Sequence, residues 1–257
     1  MKPVSDIASV IMAAGKGTRM NDPTKAKVMY EISGKPLIGH VLDLTSELGI
    51  ARNVVVVGHQ KETVITFVAG SYPGAECVVQ EPQLGTAHAV MQARTVLGDF
   101  KGHTIVLSGD VPLLSKVSVN ALVGYHLERH ATATILTAVM PRPDGYGRII
   151  RGGDGLVRKI VEHRDATDEE RKIDEINSGI YVFENQNLFE GLEHIKATNV
   201  QQEYYITDII EYFVRSGLKV AALKVRDVNE IRGINTFEQL QDVQSLMEGR
   251  WASEGTS

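Results

Sequence analysis

Cysteine is nearly absent: Cys77 stands alone among 257 residues. A lone thiol excludes an intrachain disulfide framework and a cysteine-rich zinc site. Within "ECVVQ" it reads as a small buried hydrophobe on a strand. Positive charge is also scarce, since the formal net charge is -5. That argues against a nucleic-acid partner, which calls for a basic face. No apolar run approaches the ~20 residues of a membrane span. Lys2 to Asp6 is polar and the apolar run Ile7 to Ala14 stops at glycine, so no signal peptide is legible and a cytoplasmic setting is expected. Linker-like Pro/Gly/Ser stretches and internal repeats are missing too, which leaves one continuous domain as the expectation. The remainder, 43% hydrophobic and 23% charged, suits an ordinary globular α/β core.

Strand-like and helix-like segments alternate from the start. Residues 9–13, "NVVVVG" (53–58), "ECVVQ" (76–80) and "TIVLSGD" (104–110) read as strands. Helical patterns lie between them at 37–48, 60–69 and 86–97. This rhythm predicts a mostly parallel sheet with right-handed crossovers. After about residue 130 strands dominate, at 131–140, 146–152, 156–163 and 178–183, which predicts antiparallel additions. A helix is expected over 203–217, with Ile209, Ile210, Phe213 and Val214 as its core face, and a strand over 219–225. The charge run 165–175 reads as a solvated loop or helix face.

The first strand runs into "AAGKGTRM", which looks built for an anion yet fits neither standard phosphate loop. A dinucleotide loop needs a third glycine where Met20 stands, and Gly34-Lys35 is followed by proline, which rules out a Walker loop. Glycines at 15 and 17 still allow a sharp turn and close approach to a ligand. Their backbone N–H groups form a candidate nest, with Arg19 as a two-donor clamp. The competing interpretation is a plain turn with a solvent-exposed arginine.

"IMAAGKGTRM", followed by a lysine a few residues on, resembles the signature of the sugar-phosphate nucleotidyltransferases. The likeness continues in family order through "QEPQLGTAHA" (80–89), "SGDVPLL" (108–114), "GYGRI" (145–149), "IVEHRDATDEER" (160–171), "EINSGIYVF" (175–183), "EYYITDII" (203–210) and "GINTF" (233–237). It spans residues 7–247, and the ordered set is far more specific than any one stretch. Within the family the likeness is to the uridyltransferase half of a bifunctional bacterial enzyme. The resemblance implies an α/β, Rossmann-like, mostly parallel sheet with an antiparallel sugar-binding extension. Residues 1–130 would form the nucleotide-binding lobe, 131–247 the sugar-binding lobe and 248–257 a polar tail. No hexapeptide repeat follows residue 247, so no acetyltransferase domain is expected, and a monomer or weak dimer is.

The implied reaction joins UTP to N-acetylglucosamine 1-phosphate and releases pyrophosphate, with magnesium as cofactor. By the family pattern Ala13, Ala14, Gly15, Gly17, Gln80, Gly85 and Thr86 would hold the nucleotide. Arg19 and a lysine would neutralise phosphate charge, and Asp110 and Asn235 would ligate magnesium. Gly147, Glu162 and Asn177 would hold the sugar. The family lysine lies in "PKVL", which here reads Ala26-Lys27-Val28-Met29 after a one-residue insertion. Counting back from Gly34 selects Lys27, while counting from Arg19 makes Lys25 the competitor; Val28 and the spacing to Gly34 favour Lys27. Ala87 also stands where glycine is common. Plainer roles compete: Asp110 as a loop or capping residue, Asn235 as a helix N-cap, Thr86 as an N-cap in addition to or instead of a ligand contact. Glu162 and Asn177 equally suit strand ends. A silent binding module would be expected to lose the charge-bearing residues, and Arg19, Lys27, Asp110 and Asn235 are all present. His88, His126, His130 and His163 lack metal-ligand spacing and read as structural or exposed, while Tyr204 and Tyr205 read as substrate wall or packing.

Overall fold

Four valines in a row, Val54 to Val57, show how this chain builds its centre. Successive strand residues point to opposite faces. Val54 and Val56 therefore join the core layer on one side of the sheet, and Val55 and Val57 the layer on the other. A strand buried on both faces reads as a continuous apolar run, as parallel strands do.

The computed structural model describes residues 6–20 and 22–254. In the first half, β1 (Ile7–Ala13) is followed by the small hairpin β2 (Glu31–Ile32) and β3 (Lys35–Pro36) and by α1 (Leu37–Glu47). Then come β4 (Arg52–Val57), α2 (Lys61–Ser71), β5 (Ala75–Val79), α3 (Thr86–Gln92), α4 (Arg94–Leu97), β6 (His103–Ser108) and α5 (Lys116–Arg129). The second half holds β7 (Ala133–Val139), β8 (Arg148–Arg151), β9 (Val157–Val161), α6 (Asp168–Arg171), β10 (Glu175–Glu184), α7 (Asn185–Leu192), α8 (Asp208–Arg215), β11 (Val220–Lys224) and α9 (Phe237–Glu254).

The main sheet has the order β11-β7-β10-β6-β1-β4-β5. Pairing is parallel throughout β6, β1, β4 and β5, as the alternating pattern predicts. β10 is antiparallel to both β6 and β7, and the hairpin β8–β9 hangs from it. β11 pairs parallel with β7, so the later strands are a mixture of both kinds rather than purely antiparallel additions. A third, smaller core joins Met20 of the glycine loop, Tyr30, Leu113 and Ile234 to Val243 and Met247 of α9.

Local differences from the sequence reading have local causes. The helix expected over 203–217 begins only at Asp208. Upstream of it the backbone is committed elsewhere: Tyr204 N–H donates to the Leu84 carbonyl, Ala87 N–H donates to the Tyr204 carbonyl, and Ile206 N–H donates to the Thr86 hydroxyl. The helix expected over 86–97 divides at Ala93 into α3 and α4. The charge run contains α6, started by a capping box between Thr167 and Glu170. α9 runs on to Glu254 through most of the expected tail, of which residues 255–257 lie outside those described. Cys77 is half-buried on β5. Among the described residues no helix is long and apolar enough to cross a membrane.

Candidate active site

The glycine loop leaves β1 at the carboxyl edge of the parallel strands, where open α/β sheets place ligands. A cleft of 460 Å³ opens there, lined by Ala13, Ala14, Gly15, Gly17 and Lys27 on one side and by Gln80, Gly85 and Thr86 on the other. Gly17 has φ +60, and a Cβ on it would lie 2.8 Å from the Lys27 Cβ. Its lack of a side chain is what lets the Lys27 stem pass. Ala26, in the family proline's place, is buried with φ -62 and ψ 134. That is the backbone conformation proline itself would impose, so the loop keeps its path without the ring.

Lys27 and Lys25 separate cleanly. The Lys27 ammonium forms an ion pair with Asp110 Oδ2 and donates to Asn235 Oδ1 at 3.0 Å. The Lys25 ammonium instead lies 4.8 Å over the Tyr30 ring, away from those groups. Arg19, on a short 3-10 turn, donates to the same Asn235 oxygen at 3.0 Å. Asp110 is buried just beyond the end of β6, and its Oδ1 accepts from the Ser108 hydroxyl at 2.6 Å. Burial pushes the Asp110 carboxyl up, but the Lys27 ammonium and the Ser108 hydroxyl outweigh it and hold the group below the ordinary carboxylate range.

Asn235 does not cap α9. That role falls to Thr236, whose hydroxyl accepts from Gln239 N–H at 3.2 Å. The Gln239 side chain in turn accepts from Asn235 N–H, and Ile234 N–H donates to the Asp110 carbonyl. The start of α9 is thus tied to Asp110 and leaves the Asn235 oxygen free to face the cations. Two hard oxygen donors, Asp110 Oδ2 and Asn235 Oδ1, converge on one ammonium. This donor set fits a divalent ion that completes its shell with phosphate and water oxygens. Among the described residues no group of three or more His, Cys, Asp or Glu could hold a metal.

A second cleft of 220 Å³ adjoins the first and shares Met12, Thr86, Ser108 and Asp110 with it. Glu162 and Asn177 line it, with Tyr146 and Thr207. Asn177 sits where the β10–β7 register shifts, a bulge that turns its side chain onto the Tyr181 hydroxyl, and its N–H donates to the Gly147 carbonyl. A Cβ on Gly147 would meet both Glu162 carboxylate oxygens at 3.5 Å, so the three expected sugar-side residues stand together. Burial raises the Glu162 carboxyl, the Thr207 hydroxyl offsets part of the rise, and Asp208 and Asp165 add to it. Thr86 is not a helix cap, since its hydroxyl accepts from Ile206 N–H.

Two consequences can be measured. A Cβ on Gly85, whose φ is +112, would lie 2.6 Å from the Tyr204 oxygen and 2.7 Å from its nitrogen. Gly85→Ala is therefore expected to destabilise the fold by about 2–4 kcal/mol, read as a lowered urea midpoint. Asp208 is raised to about 6 from 3.8, by burial first and then by Glu211 and Asp165. Its neutral form favours the folded state, so that stability is present below pH 4 and disappears as pH rises through 6. Asp208→Asn should gain roughly 1–2 kcal/mol over the parent at pH 7 and nothing at pH 4, by thermal melts at both pH values.

Residues 8–251 match the nucleotidyl transferase family. The chain belongs to that family. It is 46% identical over 242 residues to bifunctional protein GlmU of Lactococcus lactis subsp. lactis, a match covering 94% of this chain and 52% of that protein. To bifunctional protein GlmU of Acetivibrio thermocellus it is 48% identical over 244 residues, 95% of this chain and 52% of the other. This nucleotidyl transferase thus spans about half the length of the curated relatives it matches. Its fold is similar to that of a Bacillus anthracis protein assigned as a glucose-1-phosphate thymidylyltransferase, with TM-score 0.75, 19% identity and coverage of 93% and 94% of the two chains. At that identity the likeness concerns the fold alone. Several lining residues are not among those expected from the sequence, and three polar ones lie in stretches that carry the resemblance. Ser108 precedes the "GD" pair, Thr207 ends "EYYIT", and Gln83 precedes "LGT".

Proposed function

We propose that this nucleotidyl transferase moves the uridylyl group of UTP onto N-acetyl-α-glucosamine 1-phosphate, giving UDP-N-acetylglucosamine and pyrophosphate. The observation that carries the reading is Asp110 at the seam of two clefts, with Lys27 and Arg19 gathered around Asn235 beside it. Such a seam suits a reaction that brings two polyanions together. The larger cleft, with its glycine turn, takes the triphosphate and base, and the smaller one, with Glu162 and Asn177, takes the sugar.

A phosphate monoester has its second pKa near ~6, so the sugar phosphate is already largely dianionic at neutral pH. Its oxygen attacks the α-phosphorus in line with the departing pyrophosphate, and no general base is needed. What the protein contributes is alignment and charge neutralisation. Arg19 and Lys27 supply positive charge toward the phosphates, and Asp110 and Asn235 would hold magnesium. When bound, that ion supplies Lewis-acid stabilisation of phosphate charge. Glu162, raised by burial, accepts hydroxyl or amide hydrogens of the sugar, and Asn177 offers a further polar contact beside it.

The test is pyrophosphate release from UTP and N-acetylglucosamine 1-phosphate with magnesium, beside panels of other nucleotides and sugar phosphates. Efficient turnover of the named pair is expected. Absence of turnover with every pair would defeat the enzymatic reading, and a strong preference for another pair would defeat its substrate assignment.

A further inference from the structure

We propose that His88 is a positioning residue for base selection: it locks the Gln80 amide with its oxygen toward the cleft, and so favours a nucleotide whose base carries an imide N–H. This rests on the nucleotide reading of the larger cleft.

Gln80 is buried and lines that cleft. Its side-chain nitrogen donates to the Gly85 carbonyl at 2.9 Å and meets His88 Nδ1 at 3.1 Å. An amide nitrogen has two hydrogens, and these two partners take both. The reverse orientation would set two oxygens 2.9 Å apart across Gly85, so it is disfavoured. The amide oxygen is left as the only free part of the group, and no partner for it occurs among the described residues.

His88 must accept through Nδ1 to complete this arrangement, and the hydrogen of the neutral ring then lies on Nε2. Gln92 is the competing donor: its side-chain nitrogen gives one hydrogen to the His88 carbonyl at 2.8 Å and its other faces Nε2 at 3.3 Å. The shorter 3.1 Å contact of Gln80 with Nδ1 favours acceptance there. Half-buried on α3, one turn from Gly85, the imidazole can reach Gln80 without entering the cleft itself.

The functional result is an acceptor held in one orientation. Uracil and thymine present N3–H to such an acceptor, whereas cytosine presents a lone pair at N3. A site built to bond an N–H discriminates strongly against an analogue without it, because the buried acceptor is then left unpaired. Without the His88 acceptor one amide hydrogen loses its partner. The orientation then rests on Gly85 alone, and inversion turns a donor toward the cleft.

The experiment compares UTP and CTP with a common sugar phosphate in the wild type, His88→Phe and His88→Asn. Phenylalanine keeps the ring and removes the acceptor, while asparagine can place Oδ1 near the position of ring Nδ1. His88→Phe should raise KM for UTP about tenfold with kcat within about twofold, and lower the UTP:CTP ratio of kcat/KM at least about tenfold. His88→Asn should restore most of that ratio. Should the phenylalanine variant fold poorly, His88→Ala reads the same ratio. An unchanged ratio in the acceptor-less variant, or equal losses for both nucleotides, overturns the proposal. Wild-type enzyme that turns over neither nucleotide instead refutes the uridylyl-transfer reading, so the two failures are distinct.

Discussion

Asp110→Asn is expected to lower uridylyl transfer by about a thousandfold or more, with a sharply raised magnesium requirement. The substitution keeps shape and one oxygen but removes the charge. Two roles of that charge are lost together: the pair with the Lys27 ammonium and the anionic oxygen offered to a divalent ion. The Ser108 hydroxyl can still donate to the remaining oxygen, so the side chain should keep its rotamer. Lys27 loses its carboxylate but retains the Asn235 oxygen at 3.0 Å, so a stability loss of about 1–3 kcal/mol is expected rather than collapse. Pyrophosphate release across a magnesium titration, with a thermal melt of each variant, separates chemistry from folding. Turnover within tenfold of the wild type at saturating magnesium would remove Asp110 from the metal assignment.

Much of the sheet was legible because buried parallel strands carry a direct signature. The valines of β4 and residues 105–107 of β6 are both continuous apolar runs, and both lie in strands where expected. Legibility failed where one segment's backbone bonds to another distant in sequence. Residues 203–206 have a helical pattern, yet three of their backbone groups pair with the loop around Gly85. No periodicity records such a commitment. Neighbouring polar residues posed a related difficulty. Asn235 and Thr236 are both good caps, and only geometry shows that threonine takes the cap and frees the asparagine. His88 shows no metal-ligand spacing, and its contact with Gln80 is not one that such spacing records. The relevant signal was its place one turn beyond Gly85, on the same helix as Thr86.

The second large effect separates the two lysines on which the sequence was ambiguous. Lys27→Met should lower kcat by about a hundred- to a thousandfold, and Lys25→Met should leave it within about twofold. Methionine keeps most of the Lys27 stem, so the passage that Gly17 leaves open stays filled and the loop keeps its path. The lost group is the ammonium that opposes the burial of Asp110. Once it is gone, burial dominates and the Asp110 carboxyl moves up, toward the neutral acid. In the wild type the depressed carboxyl contributes stability above its unfolded value of 3.8, and loses it as pH falls through the lower folded value. In the variant the sign reverses, because a raised carboxyl favours folding only where it is protonated. The stability deficit of Lys27→Met should therefore be largest near pH 7 and shrink toward pH 4. Lys25→Met loses its contact with the Tyr30 ring and a solvent-screened attraction to the exposed Asp22 carboxylate, so its pH dependence should be far smaller. Parallel melts at the two pH values and single-turnover rates test both halves. A large rate loss in Lys25→Met with a silent Lys27→Met would place the family lysine at position 25.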